Sequence, residues 1–271
     1  MIVAPIAAAL ALVASAPAER EVLIPTPAGD RLAATLTLPA GPGPHPAAVI
    51  VGGIGPNDRD GDGQYARLAA ALTARGIATL RYDKRGIGAS DGPPLSWLDA
   101  RPLTADARAA VATARRTPGI DPSRVHLVGH SQGGVLALRA ARHAPVAGVA
   151  TLAAPGVALG RLPRVTASAA FFLSRTNGPD AARATLARDP RADARALAAP
   201  LLIVHGTRDG VVPVGNARLL AAARRDAGRT TRLVLLPGLG HHMRSRRGRD
   251  APSPPRVIDA LVRFIAPARR A

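Results

Sequence analysis

"VHLVGHSQGG", residues 125–134, gives the clearest indication of the fold. An apolar run typical of a buried strand leads into GHSQG (129–133), which matches the pattern G-x-S-x-G, and a helix-forming sequence follows at once. A sharp turn from strand to helix lifts a serine hydroxyl clear of a sheet, and glycines flank it because larger side chains would collide there. The pattern predicts Ser131 as a nucleophile. A serine in a glycine-rich helix cap is the alternative.

Apolar runs and helix-forming segments alternate along the rest of the chain. Continuous apolar strands between helices are typical of a mostly parallel sheet that helices cover on both faces, which predicts an α/β fold. Strands are predicted at 21–25, 32–38, 47–53, 77–83, 125–130, 148–154, 200–206 and 231–238. Helices are predicted at 64–75, 104–117, 132–143, 213–226 and 255–266, the second of them with Thr104 as its N-cap.

Residues 156–198 break this alternation with an Ala- and Arg-rich helical sequence. We expect them to form a short helical cap over the carboxyl edge of the sheet, because sheets of this type bind ligands at that edge. Residues 19–271 are therefore predicted to form a single domain with a cap insertion at about 156–198.

The first 18 residues are predicted to be a signal peptide. Residues 2–14 are nearly all apolar, and Ala16-Pro17-Ala18 fits a cleavage site with small side chains. The segment lacks Lys and Arg, so an Ala-rich extension or an uncleaved anchor is the alternative. Export to the periplasm or the exterior is expected, with a cytoplasmic location if the leader is not a signal. No membrane span is expected once the leader is removed.

The net charge of +18 and the pI of about 11.8 raise the question of nucleic-acid binding. The basic residues are almost all arginines spread along the chain, with Lys84 as the only lysine, which indicates a compositional bias more than a binding patch. Aromatic residues make up only 2% of the chain, so stacking on bases is disfavoured. We expect no nucleic-acid partner and favour attraction of an acidic surface or an anionic substrate. The absence of cysteine excludes a thiol nucleophile.

A nucleophilic serine needs a histidine base and an acid that orients it. On a fold of this type the acid and then the histidine follow the serine along the chain. Asp209 lies just past the strand predicted at 200–206 and is the candidate acid, with a plain turn aspartate as the alternative. His241 and His242 both lie in the loop after the next strand, so the order of the motifs leaves either one as the base.

Several separate segments resemble the α/β-hydrolase family, close to the serine hydrolases that include esterases and serine aminopeptidase-like members. The resemblance covers about residues 20–267 and is weakest in the cap. Beside the GHSQGG turn it rests on GGIGPNDRDG (52–61), RYDKRGIGASDG (81–92), HGTRDGVVP (205–213) and LPGLGHHM (236–243). These segments are specific for the α/β-hydrolase fold and say little about the substrate.

The resemblance implies a role for several residues. In this family the base follows the glycine of a PGxGH-like run, which selects His241 and leaves His242 as a neighbour. Two backbone N–H groups form the oxyanion hole: one belongs to Gln132, the residue after the nucleophile, and the family pattern assigns the other to Ile54. Many relatives carry His-Gly where this chain has Gly52-Gly53. The stretch 83–85 is expected to brace the neighbouring loops by hydrogen bonds and ion pairs.

Two patterns raise the question of a metal. Adjacent residues on an extended chain point to opposite sides, so His241 and His242 are not expected to share an ion. The segment NDRDGDG (57–63) matches the first half of a calcium loop, but the twelfth position counted from Asp58 is Ala69, where a bidentate Glu is needed. We therefore expect neither a metal nor a cofactor, and interpret the segment as a polar turn before a helix.

The sequence thus predicts a serine hydrolase that cleaves carboxylic esters of a small-molecule acyl substrate through Ser131, His241 and Asp209. The same three residues would serve an amide, thioester or lactone, as in an aminopeptidase-like or thioesterase-like enzyme. A non-catalytic binding protein with this fold is a further alternative. The sequence leaves the oligomeric state open.

Overall fold

The computed structural model describes residues 17–93, 99–164, 179–245 and 253–267. The strands in these ranges are β1 (Ala18–Pro25), β2 (Arg31–Leu38), β3 (His45–Val51), β4 (Ala78–Tyr82), β5 (Ile120–His130), β6 (Gly148–Leu152), β7 (Leu201–Gly206) and β8 (Thr231–Leu236). The α-helices are α1 (Gln64–Thr73), α2 (Ala100–Arg116), α3 (Gln132–Ala140), α4 (Pro179–Ala187), α5 (Pro190–Ala196), α6 (Gly215–Asp226) and α7 (Pro255–Ile265).

All eight strands join one sheet in the order β1-β2-β4-β3-β5-β6-β7-β8. β2 pairs antiparallel with both β1 and β4, whereas every other neighbouring pair is parallel. The central strands are buried along most of their length because helices cover both faces of a parallel sheet. The predicted α/β class with a mostly parallel sheet is confirmed.

Alternate residues of each strand face two separate layers of helices. On β3, Val49 and Val51 lie in the core cluster that contains α2, α3, α5 and α6. Ala48 and Ile50 point to the opposite face and pack with α1 and α7. With few aromatic residues available, Ala, Val and Leu fill both cores, as the composition indicates. The predicted cover on both faces of the sheet is therefore confirmed.

One predicted helix boundary is wrong. α2 begins at Ala100 and is capped by Asp99, whose carboxylate accepts a hydrogen bond from the N–H of Arg101. Thr104, the predicted cap, lies inside the helix and donates its hydroxyl to the carbonyl of Ala100 at 2.5 Å. A proline follows Arg101 directly, and proline is well tolerated in the first turn of a helix, so the helix begins one turn earlier than predicted.

Two predicted features lie partly outside the described residues. Residues 1–16 of the predicted signal peptide are among these, and Ala18 is the first residue of β1. In the predicted cap the structure describes a short 3-10 helix (Leu159–Arg161), α4 and α5, but not residues 165–178. In the described ranges no helix is both long enough and apolar enough to cross a membrane.

The loop after β4 braces its neighbours. Asp83 accepts hydrogen bonds from the backbone N–H of Arg59 at 2.7 Å and from the side chain of the same arginine. Arg85 binds Asp106 on α2 through both carboxylate oxygens and Asp30 at 2.7 Å. Asp106 is fully buried, so this pair joins the carboxyl edge of the sheet to the helix layer.

Removal of the buried partner should destabilise the fold. We predict that Asp106→Ala lowers the free energy of unfolding by about 3–5 kcal/mol, because it leaves the Arg85 guanidinium buried without its main carboxylate. Urea denaturation measures the change. Asp180→Ala is the matched control, since Asp180 and Arg183 form an ion pair whose side chains are 95% and 71% exposed. Equal stability of the two variants would contradict this role for Asp106.

Candidate active site

Ser131 lies in a sharp turn between β5 and α3. Its backbone has φ 53° and ψ −122°, a conformation that non-glycine residues rarely adopt. The turn is held by a hydrogen bond of 2.9 Å from the Ser131 N–H to the carbonyl of Leu152 on the neighbouring strand. The serine is thereby fixed at the carboxyl edge of the sheet, at the N-terminus of α3. A helix N-terminus carries partial positive charge, which favours an anion that forms there.

Glycines on either side of the serine allow strand and helix to approach this closely. A Cβ atom on Gly129 would lie 2.2 Å from the carbonyl oxygen of Gly133. A Cβ atom on Gly133 would lie 2.1 Å from the carbonyl oxygen of Val51, at the end of β3. Neither contact is sterically possible, so any side chain at these positions would push the turn away from β3. The G-x-S-x-G pattern therefore has a steric cause in this fold.

A second tight turn after β8 presents His241. The N–H of Gly240 donates to the carbonyl of Arg244 at 2.8 Å, and Met243 has φ 56°. The side chain of Met243 is buried beside Leu239 in the core, which anchors the turn from below. The loop after β8 is thus closed on itself, and the imidazole of His241 projects towards the serine.

The structure brings the three predicted side chains into one line of hydrogen bonds. His241 Nε2 lies 3.1 Å from Ser131 Oγ, and His241 Nδ1 lies 2.9 Å from Asp209 Oδ2. The carboxylate can only accept, so His241 carries its proton on Nδ1 and its Nε2 lone pair faces the serine hydroxyl. This is the geometry in which an imidazole removes a proton from a serine as the serine attacks a carbonyl.

Asp209 is buried, and both of its carboxylate oxygens accept hydrogen bonds. Its Oδ1 accepts from the N–H groups of Val211 at 2.9 Å and Val212 at 2.8 Å. Its Oδ2 faces His241 and also His205 Nε2, which lies 3.3 Å away. Burial raises the pKa of Asp209, but the hydrogen bonds from His205 and His241 outweigh this effect and hold the pKa well below its ordinary value. The Asp209 carboxylate is therefore ionised at neutral pH.

His242 turns away from this line. Its Nδ1 lies 2.8 Å from Gln64 Oε1 on α1, while the neighbouring imidazole of His241 faces Asp209. The two side chains therefore point to different partners. Across the described ranges no group of three or more His, Cys, Asp or Glu side chains is arranged to hold a metal ion.

The acidic segment 57–63 forms a polar turn. Asp58 accepts hydrogen bonds from the N–H groups of Asp60 and Gly61 at 3.0 and 2.7 Å. The carboxylate of Asp60 binds Arg81 on β4 at 2.7 Å. These aspartates therefore hold the loop that leads into α1.

The two predicted oxyanion donors face no acceptor. In the described part of the chain no atom accepts a hydrogen bond from the N–H of Ile54 or of Gln132. Gly53, directly before Ile54, packs against the nucleophile: a Cβ atom on it would lie 3.3 Å from Ser131 Cβ. The loop after β3 and the serine turn thus lie next to each other, as an oxyanion hole requires. Their role in binding an oxyanion stays a prediction.

A cleft of about 1400 Å³ opens in front of the serine. Its described walls include Ile54, Ser131, His241 and His242 together with Val211. The charged side chains among its described lining residues are Asp62, Arg164, Arg208 and Arg244. Three arginines and one aspartate thus contribute to the described walls of the cleft.

Comparisons with known proteins fit this geometry. Residues 45–179 match the family described as "Serine aminopeptidase, S33". Esterase EstD of Thermotoga maritima is 28% identical over 269 residues, which cover 85% of this chain and 64% of the esterase, so the chain spans just under two thirds of that relative. An uncharacterised protein of Mycobacterium tuberculosis is 30% identical over 83% of this chain and 73% of its own length. This chain belongs to the α/β-hydrolase family of serine hydrolases.

The solved structures agree with the family at the level of the fold. The α/β hydrolase GrgF from Penicillium superposes with a TM-score of 0.72, at 20% identity, over 92% of this chain and 99% of the fungal enzyme. At this identity the likeness speaks for the fold alone. The α/β-hydrolase fold predicted from the sequence is confirmed.

Sequence reasoning missed a hydrogen-bonded pair behind this α/β-hydrolase site. Tyr65 on α1 accepts from the N–H of Gly53 at 2.7 Å, and its hydroxyl lies 3.2 Å from His130 Nδ1. His130 Nε2 donates to the carbonyl oxygen of His241 at 2.9 Å. Burial and the nearby His241 lower the pKa of His130 to about 3, so its ring is neutral and Nδ1 accepts from the tyrosine. The pair links the loop after β3 to the histidine loop.

Lys84 is the second feature that the sequence did not place. It is 4% exposed, and its ammonium donates to the carbonyl oxygen of Gly53. The carbonyl of Gly55 and the side-chain oxygen of Gln132 lie 3.2 and 3.5 Å away. Burial lowers the pKa of Lys84 to about 7. The sequence predicts that residues 83–85 brace neighbouring loops, but it does not predict that Lys84 contacts the loop after β3.

The two adjacent histidines should differ sharply in mutants. We predict that His241→Ala lowers kcat/KM by about 10⁴-fold or more, because His241 is the only base among the described side chains that hydrogen-bonds to Ser131 Oγ. His242→Ala should keep most of the activity, since it loses the hydrogen bond to Gln64 and ring contacts with His130 and His241 but no contact with Ser131 or Asp209. Ester turnover by the two variants, with circular dichroism to verify folding, measures the difference. The reverse ranking would place the base one residue later.

Proposed function

We propose that this protein is a serine hydrolase that cleaves carboxylic esters of small molecules through an acyl-enzyme. The observation that carries the proposal is the line of hydrogen bonds from Ser131 Oγ through the imidazole of His241 to the carboxylate of Asp209. All three side chains project from loops at the carboxyl edge of one sheet and border the same cleft or lie directly beneath it.

In the first half of the proposed reaction, Ser131 Oγ attacks the ester carbonyl while His241 Nε2 takes the hydroxyl proton. Asp209 holds the imidazole in the required orientation and stabilises its protonated form. The carbonyl oxygen becomes an oxyanion, for which the N–H groups of Ile54 and Gln132 are the proposed donors. Collapse of the tetrahedral intermediate breaks the bond to the alcohol, which leaves with the proton from His241.

In the second half, a water molecule takes the place of the alcohol. His241 Nε2 removes a proton from this water as it attacks the acyl carbonyl. Collapse of the new tetrahedral intermediate breaks the bond between the acyl carbon and Ser131 Oγ, which takes the proton from His241 as the carboxylic acid leaves. The site is thereby restored without a cofactor taking part in any step.

The charge of the cleft supports an ester over an aminoacyl amide. An aminopeptidase must accommodate the protonated amine of its substrate, which a carboxylate would stabilise. Asp62 is the only carboxylate among the described lining residues, so these walls offer a cationic group little stabilisation. Neutral or anionic acyl esters fit this surface better.

A substrate panel tests the proposal. We expect the wild-type protein to hydrolyse short p-nitrophenyl esters faster than the p-nitroanilides of neutral amino acids with a free amine. Ser131→Ala should remove the ester activity, because the variant lacks the attacking oxygen and leaves only the weak assistance of the remaining site. Undiminished ester turnover by Ser131→Ala would contradict the proposal. Faster cleavage of the anilides would assign the site to amides.

A fluorophosphonate probe separates an enzyme from a binding protein with the same fold. The probe reacts with an activated serine, so the wild-type protein should be labelled on Ser131 and the Ser131→Ala variant should not. An unlabelled wild-type protein that still folds would favour the non-catalytic alternative. Peptide mass spectrometry identifies the labelled residue.

A further inference from the structure

We propose that Lys84 is a positioning residue for the oxyanion hole: its ammonium holds and polarises the Gly53–Ile54 peptide so that the Ile54 N–H is aimed at the developing oxyanion. This inference rests on the proposed function and deepens it. Neither the motif around Ser131 nor the order of the three site residues requires a cation at this place.

The contacts of Lys84 are directed at one short loop. Its ammonium donates to the carbonyl oxygen of Gly53 and lies 3.2 Å from that of Gly55. The side-chain oxygen of Gln132, the residue that carries the other proposed donor, lies 3.5 Å away. All three partners are neutral acceptors, and no carboxylate is among the hydrogen-bond partners that the described residues provide. The ammonium of Lys84 therefore contacts two backbone carbonyls of the loop after β3 and the side chain of the residue that follows the nucleophile.

Peptide geometry turns this contact into control of the donor. The carbonyl of Gly53 and the N–H of Ile54 belong to the same planar trans peptide group, so they point in opposite directions. A side chain that fixes the carbonyl oxygen on one side therefore fixes the direction of the N–H on the other. A positive charge at the carbonyl oxygen also polarises the peptide and strengthens its N–H as a donor.

The other backbone group of Gly53 is held as well. Its N–H donates to the buried hydroxyl of Tyr65 at 2.7 Å, and this hydroxyl in turn lies 3.2 Å from His130 Nδ1. Gly53 thus has its carbonyl held by Lys84 and its N–H held by Tyr65. With both polar groups held, the following N–H does not need to reorganise when charge develops on the substrate. Such preorganisation is the main source of oxyanion stabilisation.

The residue type fits this task. The chain has 36 basic residues, and Lys84 is the only lysine among them. A compact ammonium with three donors on a flexible stem can reach acceptors in different directions, whereas a guanidinium is a flat and rigid fork. Arg81 and Arg85, which flank it on the same strand and loop, bind carboxylates instead.

The test compares Lys84→Met with Arg81→Met. Arg81 is a buried cation on β4 whose partners are Asp60, Glu19 and Thr37, none of which lies in the Gly53–Gly55 segment. Because burial lowers the pKa of Lys84 to about 7, the measurements are made slightly on the acid side of that value, where the amine carries its proton. Thermal melts verify that each variant folds. Lys84→Gln, which keeps an uncharged donor, replaces the methionine variant if that one does not fold.

We expect Lys84→Met to lower kcat for a short ester by about 10²-fold, the loss typical of one oxyanion donor. KM should stay close to that of the wild type, because the ground-state ester does not need the donor. The affinity for a trifluoromethyl ketone, whose adduct carries an oxyanion, should fall in parallel with kcat. Arg81→Met should keep kcat although it loses two ion pairs.

Two results would overturn the inference. One is a kcat for Lys84→Met close to that of the wild type, and the other is an equal loss of kcat in Arg81→Met, which would show a general loss of structure. The rate of fluorophosphonate labelling gives a readout that does not depend on the ester. A wild-type protein that is labelled on Ser131 but cleaves no ester contradicts the proposed substrate class. In that case a slower labelling of Lys84→Met supports the role of Lys84, and an equal rate overturns it.

Discussion

The close contact between the serine turn and the end of β3 is the constraint on which the site depends. Gly133 touches the backbone of Val51 so closely that even a methyl group would not fit between them. The carboxyl ends of β3 and β5 are therefore held together, and the unusual backbone of Ser131 follows from this packing. A strained conformation persists only where the surrounding structure enforces it. Here the sheet, α3 and the hydrogen bond to Leu152 provide that enforcement.

The loops around this contact are joined by buried polar side chains rather than by apolar packing alone. Tyr65 and His130 link the loop after β3 to the loop that carries His241, and Lys84 joins the first of these loops to Gln132. Each group meets an acceptor or donor of the backbone, which satisfies polar atoms that burial would otherwise penalise. Burial of a histidine and a lysine costs free energy. The hydrogen bonds of these side chains offset that cost and fix the three loops relative to one another.

Much of this arrangement could be predicted from local sequence. Ser131, Asp209 and His241 each lie in a short motif that follows a strand. Because the carboxyl ends of parallel strands meet at one edge of the sheet, the order of the strands predicts that these residues lie there together. The contacts of Tyr65 and Lys84 could not be predicted, since they join residues that are 12 and 31 positions apart through side-chain reach across packed elements. The start of α2 was misjudged because Asp99 competes with Thr104 as a cap, and only the packed structure decides between them.

The central claim is that Ser131 forms a covalent bond with the acyl group of an ester, and trapping that intermediate tests it most directly. Turnover of a p-nitrophenyl ester is quenched within the first catalytic cycle, and the acylated peptide is identified by mass spectrometry. We expect a burst of one p-nitrophenolate per active site and an acyl group on Ser131. Rapid turnover without a burst, with the acyl group on another residue or on none, would contradict it.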